Sequence, residues 1–234
     1  MPPIKFLLLV SLFSLAVSTC RGTWSIIVID EKTGAIGIAG ASCTNSVYGI
    51  GSIVPGKGAI IVQARSNGKA RARGIQMILT GESPEKIMSA LMDPQFDPGY
   101  QQYAIVCLDH PDQPLAYTGD SARVNKGALT AREISVQGNI LASDAVLQKV
   151  LEAALAAQRL GLSLEDILML VLEAGADAGG DRRCGQSKAS SAFITVMHSR
   201  DDQQKPYLNL VVNKKGDNVN AVEELRRRFN EWKN

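Results

Sequence analysis

The residues with the clearest chemical potential lie where an N-terminal apolar segment gives way to a strand, at Arg21-Gly22-Thr23-Trp24-Ser25. A cut after Gly22 would make Thr23 the first residue, with a free α-amine beside its own hydroxyl. The hydroxyl would then be the nucleophile, and the amine, with an ordinary pKa of about 7.7–8.0, would remove its proton as general base. The simpler interpretation is that Thr23 is only a β-branched residue that opens a strand.

Residues 1–22 are predicted to be a signal peptide. The apolar run Phe6–Val17 follows a lysine, no acidic residue precedes it, and its length suits an export signal but not a membrane span. We therefore expect a secreted or periplasmic protein. Cleavage before Thr23 competes with cleavage before Thr19, because small residues precede both cuts. It also competes with lipidation at Cys20, which would give a lipoprotein and leave Thr23 internal.

Residues 23–234 are predicted to form a single domain, since they are numerous enough for one core and show no repeat or low-complexity linker. The whole sequence is 45% hydrophobic and 21% charged, with a formal net charge of +2. So small a charge gives no reason to expect nucleic acid or an acidic membrane as a partner. We expect a small molecule or peptide as substrate and no transmembrane segment, and we leave homo-oligomer formation open.

The four cysteines do not form a metal or redox motif. None lies in a Cys-x-x-Cys pair, so we expect neither a metal nor another cofactor. In an oxidising compartment we expect one disulfide and one buried thiol. Cys43 and Cys184 are the disulfide candidates because both flank polar motifs. A cysteine hydrolase that uses one of them is an alternative, but the sequence marks neither His110 nor His198 as a catalytic partner.

Hydrophobic periodicity and turn residues predict an α+β fold with two central sheets and helices outside them, because helix pairs return between sets of antiparallel strands. The predicted strands are Ser25–Asp30, Ala35–Ser42, Ile50–Val54, Gly58–Ala64, Tyr103–Leu108, Leu115–Thr118, Glu133–Val136, Ser190–His198 and Tyr207–Val212. The predicted helices are Gly68–Leu79, Ser83–Leu91, Ser143–Leu160, a segment from Ser163 to about Ala174, and Asp217–Trp232.

Polar residues in glycine-containing loops are further candidates for a site. The densest group is Gly179–Ser187, in which an aspartate among arginines can stay ionised and fix the geometry of the guanidinium groups. A solvated charged loop is the alternative for this segment. Three shorter groups lie at strand ends, and they are Gln137-Gly138-Asn139, Arg65-Ser66-Asn67-Gly68 and Thr118-Gly119-Asp120.

Many of these residues also carry a resemblance to a known family. They are Thr23-Trp24-Ser25-Ile26, an Asp-x-x-Thr-Gly turn at Asp30–Gly34, Val54-Pro55, Gln63-Ala64 with Asn67, Thr118-Gly119, Gln137–Leu141, and Gly179–Arg183 with Gln186-Ser187. Through them the chain resembles a widespread, mainly bacterial family that is classed as Ntn-hydrolase-like and catalogued as domain of unknown function 1028. The matches run in order from Thr23 to about Val196, and the last two motifs are the most specific.

The resemblance implies the four-layer αββα sandwich of N-terminal nucleophile hydrolases, with Thr23 at the head of the first strand. In cytosolic relatives a threonine in this place follows the initiator methionine, and here export would expose the same residue. Two segments depart from the family pattern. The loop Cys43–Ser46 is less apolar, and Arg65–Lys69 lacks an aromatic-glycine pattern after the asparagine. These departures concern substrate specificity.

The sequence thus predicts an exported, peptidase-like amidohydrolase that uses Thr23 on a small amide or peptide bond. Arginines of the 179–187 loop would grip a substrate carboxylate, and Lys57 would lower the pKa of the Thr23 amine if it lies close. The alternative is a non-catalytic ligand-binding or lipid-anchored protein with the same fold. The candidate oxyanion donors and substrate-binding residues are Asn67, Gly138, Asn139, Asp181, Arg182, Arg183 and Gln186.

Overall fold

The computed structural model describes residues 22–214 and 219–234. The predicted signal peptide up to Arg21, and Asp217 at the predicted start of the last helix, lie outside the described residues. The described chain is a mixed α+β fold with two antiparallel sheets. Within it, no helix is both long enough and apolar enough to cross a membrane.

Within residues 22–214 and 219–234, ten strands form the two sheets, and five α-helices pack against them. The strands are β1 Thr23–Asp30, β2 Ala35–Ser42, β3 Gly51–Val54, β4 Gly58–Ala64, β5 Gln101–Cys107, β6 Leu115–Thr118, β7 Gly127–Ala131, β8 Ile134–Asn139, β9 Ser191–Met197 and β10 Leu208–Val212. The helices are α1 Gly68–Leu79, α2 Pro84–Leu91, α3 Ala145–Arg159, α4 Leu164–Asp177 and α5 Ala221–Lys233, and 3₁₀ segments occur at Pro94–Phe96, Pro98–Tyr100 and Arg182–Ser187.

The larger sheet has the strand order β10-β9-β2-β1-β8-β7, and the smaller has the order β3-β4-β5-β6. The hairpin between β1 and β2 has its turn fixed by Asp30, whose side chain accepts hydrogen bonds from Lys32 N at 3.0 Å and Thr33 Oγ1 at 2.7 Å. Gly34 then supplies the positive φ, +72°, that closes the turn. The Asp-x-x-Thr-Gly sequence therefore specifies this hairpin, which places β1 in the middle of the larger sheet.

Alternation along β1 directs its side chains to two different cores. Trp24, Ile26 and Val28 pack with α3, α4 and α5 on the outer face of the larger sheet. Ile27 and Ile29 instead pack with residues of β4 and β5 in the layer between the two sheets. Since Thr23 and Ser25 share the parity of Ile27, their side chains also belong to the layer between the sheets.

The third core lies on the outer face of the smaller sheet, where α1 and α2 pack. Ile60 and Val62 of β4 contact this core from the sheet, and Ile78 and Ile87 contribute to it from the helices. Helices thus cover both outer faces, while the two sheets face each other across the intersheet layer. The intersheet layer is the part of the fold that contains the candidate site.

The structure differs from the sequence prediction mainly where strands contain buried polar residues. Strand β5 begins at Gln101 and β8 extends to Asn139, whereas the predicted strands began at Tyr103 and ended at Val136. The edge strand β7 was missed altogether, because its residues are half-buried or exposed and show no apolar alternation. Local hydrophobicity predicts strands with apolar faces, whereas the ends of β5 and β8 carry buried glutamine and asparagine side chains, and β7 has no buried face.

Candidate active site

Thr23 is the first residue of β1 and is almost fully buried, with 2% of its surface exposed. It lies opposite Asn139 of β8 in the antiparallel register. Because Ile29 N donates to Glu133 O at 3.0 Å, the odd-numbered residues of β1 face β8 through their backbone groups. The backbone nitrogen of Thr23 therefore points toward Asn139, and its hydroxyl makes no hydrogen bond to the described residues.

A narrow cleft opens at the Thr23 side chain. The residues that line it with Thr23 are Thr44, Ser46, Val47, Ile50, Gln63, Ala64 and Ser66. A far larger cavity, about 500 Å³, lies at the other end of β1 around Asp30 and Arg132 and does not include Thr23. Within the described ranges, no group of three or more His, Cys, Asp or Glu residues could hold a metal ion. The side chains that line the cleft at Thr23 carry hydroxyl, amide and apolar groups.

The carbonyl group of Gly22, which precedes Thr23, is held by two donors. Ser42 Oγ donates to it from the end of β2, and Arg183 Nη2 donates to it at 3.0 Å. A Cβ atom added to Gly22 would lie 2.8 Å from both Asp181 Oδ2 and Ile140 Cβ. Only glycine therefore fits in front of Thr23, and the carbonyl oxygen next to the candidate nucleophile sits between a hydroxyl and a guanidinium.

Asp181 is completely buried and orders the loop that carries Arg183. Its Oδ2 accepts from Cys43 N at 2.8 Å and from Arg183 Nη2 at 2.6 Å, and its Oδ1 accepts from Arg183 Nε at 3.0 Å. A buried carboxylate is tolerated when it is paired and hydrogen-bonded in this way. The bidentate contact fixes the plane of the Arg183 guanidinium, so that the same group reaches Gly22 O.

A disulfide joins Cys43 to Cys184, with Cα atoms 5.5 Å apart, as the sequence predicted. It ties the Asp181–Ser187 loop to the end of β2, beside Ser42. Because both sulfurs are bonded, neither cysteine is available as the nucleophile of a cysteine hydrolase, and that alternative is wrong for this structure. Cys107 is a free thiol, and burial raises its pKa to about 12.

Beneath Thr23, buried polar side chains connect the two sheets. Gln63 of β4 donates through Nε2 to Gln102 Oε1 of β5 at 3.0 Å, and Asn139 Nδ2 donates to the same oxygen at 2.8 Å. On the other side, Ser25 Oγ donates to Gln63 Oε1 at 2.6 Å and accepts from Gln137 Nε2 at 2.7 Å. We call these five residues, with Ser135 at the end of the series, the intersheet polar network.

Three residues around the cleft have backbone angles that are unusual for a side-chain-bearing residue. Ala64 has φ +70°, Ser66 has φ +44° and Ile140 has φ +53°. The last is the most strained, because a β-branched residue rarely adopts positive φ. Two of them line the cleft and the third packs against Gly22. Backbone strain is concentrated at functional sites more often than elsewhere, which supports this end of the sheets as the site.

The structure brings Thr23, Asn139, Asp181 and Arg183 together and gives other predicted residues different roles. Asn67 caps α1, since its Oδ1 accepts from Lys69 N and Ala70 N and its Nδ2 donates to Phe96 O. Its side chain is therefore committed, and it is not an oxyanion donor here.

Gly138 and Asn139 also need correction as oxyanion donors. Gly138 lies in β8 between β1 and β7, and its carbonyl accepts from Gln102 Nε2 at 2.8 Å. The amide nitrogen of Asn139 is already engaged by Gln102, and its Oδ1 is a buried acceptor without a partner in the described chain. The Asn139 atom without a partner among the described residues is therefore an acceptor, which does not suit an oxyanion.

The remaining candidates lie at the rim or far away. Arg182 and Gln186 are exposed on the 182–187 segment and are not part of the buried contacts. Lys57 is in the turn before β4, whereas Ala64 at the other end of that strand lines the cleft. The length of β4 separates them by about 20 Å, so Lys57 is wrong as a modifier of the Thr23 amine.

Sequence reasoning missed Ser42, Ser25 and Gln102 as parts of the site. Ser42 supplies a donor to Gly22 O, and the other two carry the polar network under Thr23. The available signal was a polar residue inside an otherwise apolar strand or at its end. A buried strand tolerates such residues only when they find partners across the layer.

Comparisons with known proteins give a family but no activity. The model of a family of unknown function, DUF1028, matches residues 23–222. Among solved structures, the chain is similar to protein SPO2555 from Silicibacter pomeroyi, whose description gives the same family. That structure is 25% identical in sequence, with a TM-score of 0.76, and the match covers 91% of this chain and 90% of the other. No curated protein matches the chain.

Proposed function

We propose, given that this chain belongs to the DUF1028 family of unknown function, that it is an exported amidohydrolase whose nucleophile is an N-terminal Thr23. The observation that carries the proposal is the geometry at Thr23. Thr23 heads a central strand, only 2% of its surface is exposed and it lines the cleft, and two donors converge on the carbonyl oxygen directly before it. The family match also begins at this residue.

The fold supports the same class of enzyme. Two facing antiparallel sheets with helices on their outer faces correspond to the αββα layering of N-terminal nucleophile hydrolases. In that class the nucleophile heads a strand whose side chain points between the sheets, and Thr23 has this position. Fold alone does not establish activity, so the argument depends on the site.

The proposed reaction starts with attack of Thr23 Oγ on the carbonyl carbon of an amide. The hydroxyl proton passes to the α-amine of Thr23, which then gives it to the leaving nitrogen as the C–N bond breaks. The acyl group remains on Thr23 as an ester. Water, activated by the same amine, adds to the ester carbonyl, and the C–O bond to Thr23 breaks to release a carboxylic acid. One residue therefore supplies nucleophile, general base and general acid.

The donors for the developing oxyanion are proposed to be Ser42 Oγ and Arg183 Nη2. Both groups already hold a carbonyl oxygen one residue before Thr23, and their positions are fixed by β2 and by Asp181. Removal of Gly22 would leave them facing the space beside the free amine. Donors that are preorganised in this way contribute typically about 2.7–4 kcal/mol each to the transition state.

The surroundings favour a small substrate that carries a carboxylate. The cleft at Thr23 is narrow, and no charged residue lines it. Arg65 is exposed between the cleft residues Ala64 and Ser66 and lies over Tyr100 at 5.2 Å, and Arg182 is exposed next to Arg183 in the chain. The Nε and Nη2 atoms of Arg183 are held by Asp181. The exposed arginines are therefore the better candidates for the outer carboxylate.

Release of the Thr23 amine must precede folding. Gly22 and Thr23 are both buried in the folded chain, so their peptide bond is out of reach of an external peptidase. Cleavage of a leader during export, before the domain closes, meets this requirement. This step ties the proposed activity to passage through a membrane.

The test is to recover the exported protein, measure its intact mass, and treat it with a β-lactone that acylates N-terminal threonine. We expect a chain that begins at Thr23 and a single ester adduct on that residue. The matched control is Thr195→Val, which removes a hydroxyl from the same intersheet layer on β9. A chain that starts elsewhere, or an adduct that survives in Thr23→Ala, would contradict the proposal.

A non-catalytic ligand-binding protein is the second candidate, and one observation favours it. The intact Gly22–Thr23 bond is buried, and the carbonyl oxygen of Gly22 accepts hydrogen bonds from both Ser42 and Arg183. A chain anchored at Cys20 would keep this arrangement. The intact mass separates the two candidates, because only the enzyme requires Thr23 to be first.

A further inference from the structure

The intersheet polar network has a direction that is set by backbone groups. Gln102 Nε2 donates to Gly138 O at 2.8 Å and to Gly127 O at 3.2 Å, and neither carbonyl can act as a donor. The amide of Gln102 therefore has only one allowed orientation, with Oε1 turned to Gln63 and Asn139.

This orientation fixes the amide of Asn139 as well. If Asn139 were flipped, its oxygen would face Gln102 Oε1 at 2.8 Å, and two acceptors would repel each other. Nδ2 must therefore point to Gln102, and Oδ1 is left over. Asn139 is completely buried, and Oδ1 has no hydrogen-bond partner within the described residues. An unpaired buried acceptor is costly, so its retention here calls for a partner other than the described residues of the uncut chain.

The neighbour of Asn139 on the same face of the sheet is Thr23. The two residues are register partners in β1 and β8, and their side chains project side by side into the intersheet layer. In the uncut chain the nitrogen of Thr23 is an amide with one hydrogen, which faces β8. A freed α-ammonium has three hydrogens and needs additional acceptors at this place.

We infer that Asn139 Oδ1 is the acceptor for the freed α-ammonium of Thr23, and that Asn139 is a positioning residue for the amine. This inference rests on the proposed function, because it requires Thr23 to be the first residue. Through Asn139, the network links the orientation of the amine to Gln102 and hence to the smaller sheet. The amine is thereby held beside the hydroxyl that it deprotonates.

Other groups near the Thr23 amine are mostly neutral. Ser42 faces it from β2, Gln63 from β4 and Asn139 from β8. The charged groups are Asp181 and Arg183, which are paired with each other behind Gly22, and Arg71, which approaches Ser66 at 3.5 Å. None of these is changed by substitution of Asn139, so a shift in the amine pKa reports on Asn139 itself.

The experiment uses the full chain expressed with its leader, recovered after export and verified by intact mass to begin at Thr23. With threonine labelled by ¹³C, the Thr23 Cβ signal is followed against pH in wild type, Asn139→Asp and Asn139→Leu. The carboxylate of the Asp variant favours the ammonium and is expected to raise the amine pKa by about one unit or more. The Leu variant removes the acceptor and is expected to lower it.

Ser135→Ala is the matched control, because it alters the far end of the same network without touching Thr23, and its amine pKa should equal that of wild type. If the Asp variant does not fold, the direction of the Leu shift decides. An unchanged pKa in a chain that starts at Thr23 would overturn the role of Asn139 and leave the proposed function standing. A chain that starts elsewhere would overturn both.

Discussion

The layer between the sheets has two halves with opposite chemistry. Toward the β1–β2 turn it is a dense apolar core that includes Ile29, Ile36 and Met197. Toward the start of β1 it becomes polar, with Gln63 and Gln102 as buried bridges between the sheets. The same strands, with the same alternation, supply both halves.

The difference shows how one packed layer serves stability and chemistry in separate places. Apolar side chains can be packed with any neighbour of suitable volume, whereas buried amides need partners with matched donors and acceptors. The polar half therefore requires closer matching of donors with acceptors, and it ends beside Thr23 at Asn139 Oδ1, a buried acceptor without a partner among the described residues. We infer that this unsatisfied end is where a ligand or a freed terminus completes the network.

The largest expected effect is a loss of turnover on substitution in the polar half of the layer, with no such loss in the apolar half. Thr23→Ala should leave the fold intact and lower turnover of a small amide by at least about 10³-fold, because nucleophile and base act as a unit. Thr23→Ser should retain part of the activity. Ile27 lies four residues after Thr23 on the same face of β1. The control variant Ile27→Val should keep its activity and lose only about 0.5–1.5 kcal/mol of the free energy of unfolding. Full activity in Thr23→Ala would contradict the assignment of the chemistry to the polar half of the layer.

The next effect concerns the covalent link beside the polar half. The disulfide closes a separation of 141 residues, and its loss through Cys184→Ser should lower the free energy of unfolding by about 2–5 kcal/mol. Urea unfolding measures this loss. Cys43→Ser and the double variant are the controls and should show the same loss as the single change, because each removes the same bond. If the variant with both cysteines replaced is much less stable than either single variant, each cysteine side chain stabilises the fold independently of the disulfide.

A third prediction compares two buried positions in neighbouring strands. Gln102→Leu keeps the volume but leaves the amide nitrogens of Gln63 and Asn139 unpaired, so we expect a loss of about 2–4 kcal/mol. Ile61→Val in the apolar half should cost about 0.5–1.5 kcal/mol. Only the first change should also reduce turnover. If urea unfolding shows the same loss of free energy for Gln102→Leu and Ile61→Val, the polar network does not need its particular donors and acceptors.

The smallest effect tests the apolar core on the outer face of the smaller sheet. Burial raises the pKa of Cys107 from 9.0 to about 12, so the neutral thiol is favoured in the folded state. Its contribution to stability is complete below pH 9 and is lost as pH rises toward 12, at about 1.4 kcal/mol per pH unit. Unfolding measured between pH 8 and 10 should show this decline. Cys107→Ala should flatten it, and an unchanged slope would contradict the assignment.

The sequence predicts the turns, helix starts and disulfide correctly where a few residues determine them. The hairpin at Asp30–Gly34 follows from its turn residues, and α2 begins where Ser83 caps it and Pro84 opens it. The pairing of Cys43 with Cys184 also agrees with the prediction. In each case, the determining residues are close in sequence or are limited to a few candidates.

The site could be predicted only in part, because its geometry depends on partners from distant strands. The position of Thr23 at the head of β1 is visible in sequence, but the role of Asn139 depends on the orientation of Gln102, which two backbone carbonyls set. Asn67 is the same residue type as Asn139, but its side-chain oxygen caps α1 by accepting from Lys69 N and Ala70 N. Residue type shows which side chains can donate or accept a hydrogen bond. Only the packed structure shows which of their atoms has no partner in the protein and can bind another group.

The disulfide between Cys43 and Cys184 also has a consequence for the order of events during synthesis. Its second half lies far along the chain, so a partly emerged polypeptide holds the threonine end without the arginine that faces it. In a reducing environment the 182–187 segment would lose this covalent link and keep the hydrogen bond from Cys43 N to Asp181. Under the proposed function, the chain would therefore reach full reactivity only after the disulfide forms.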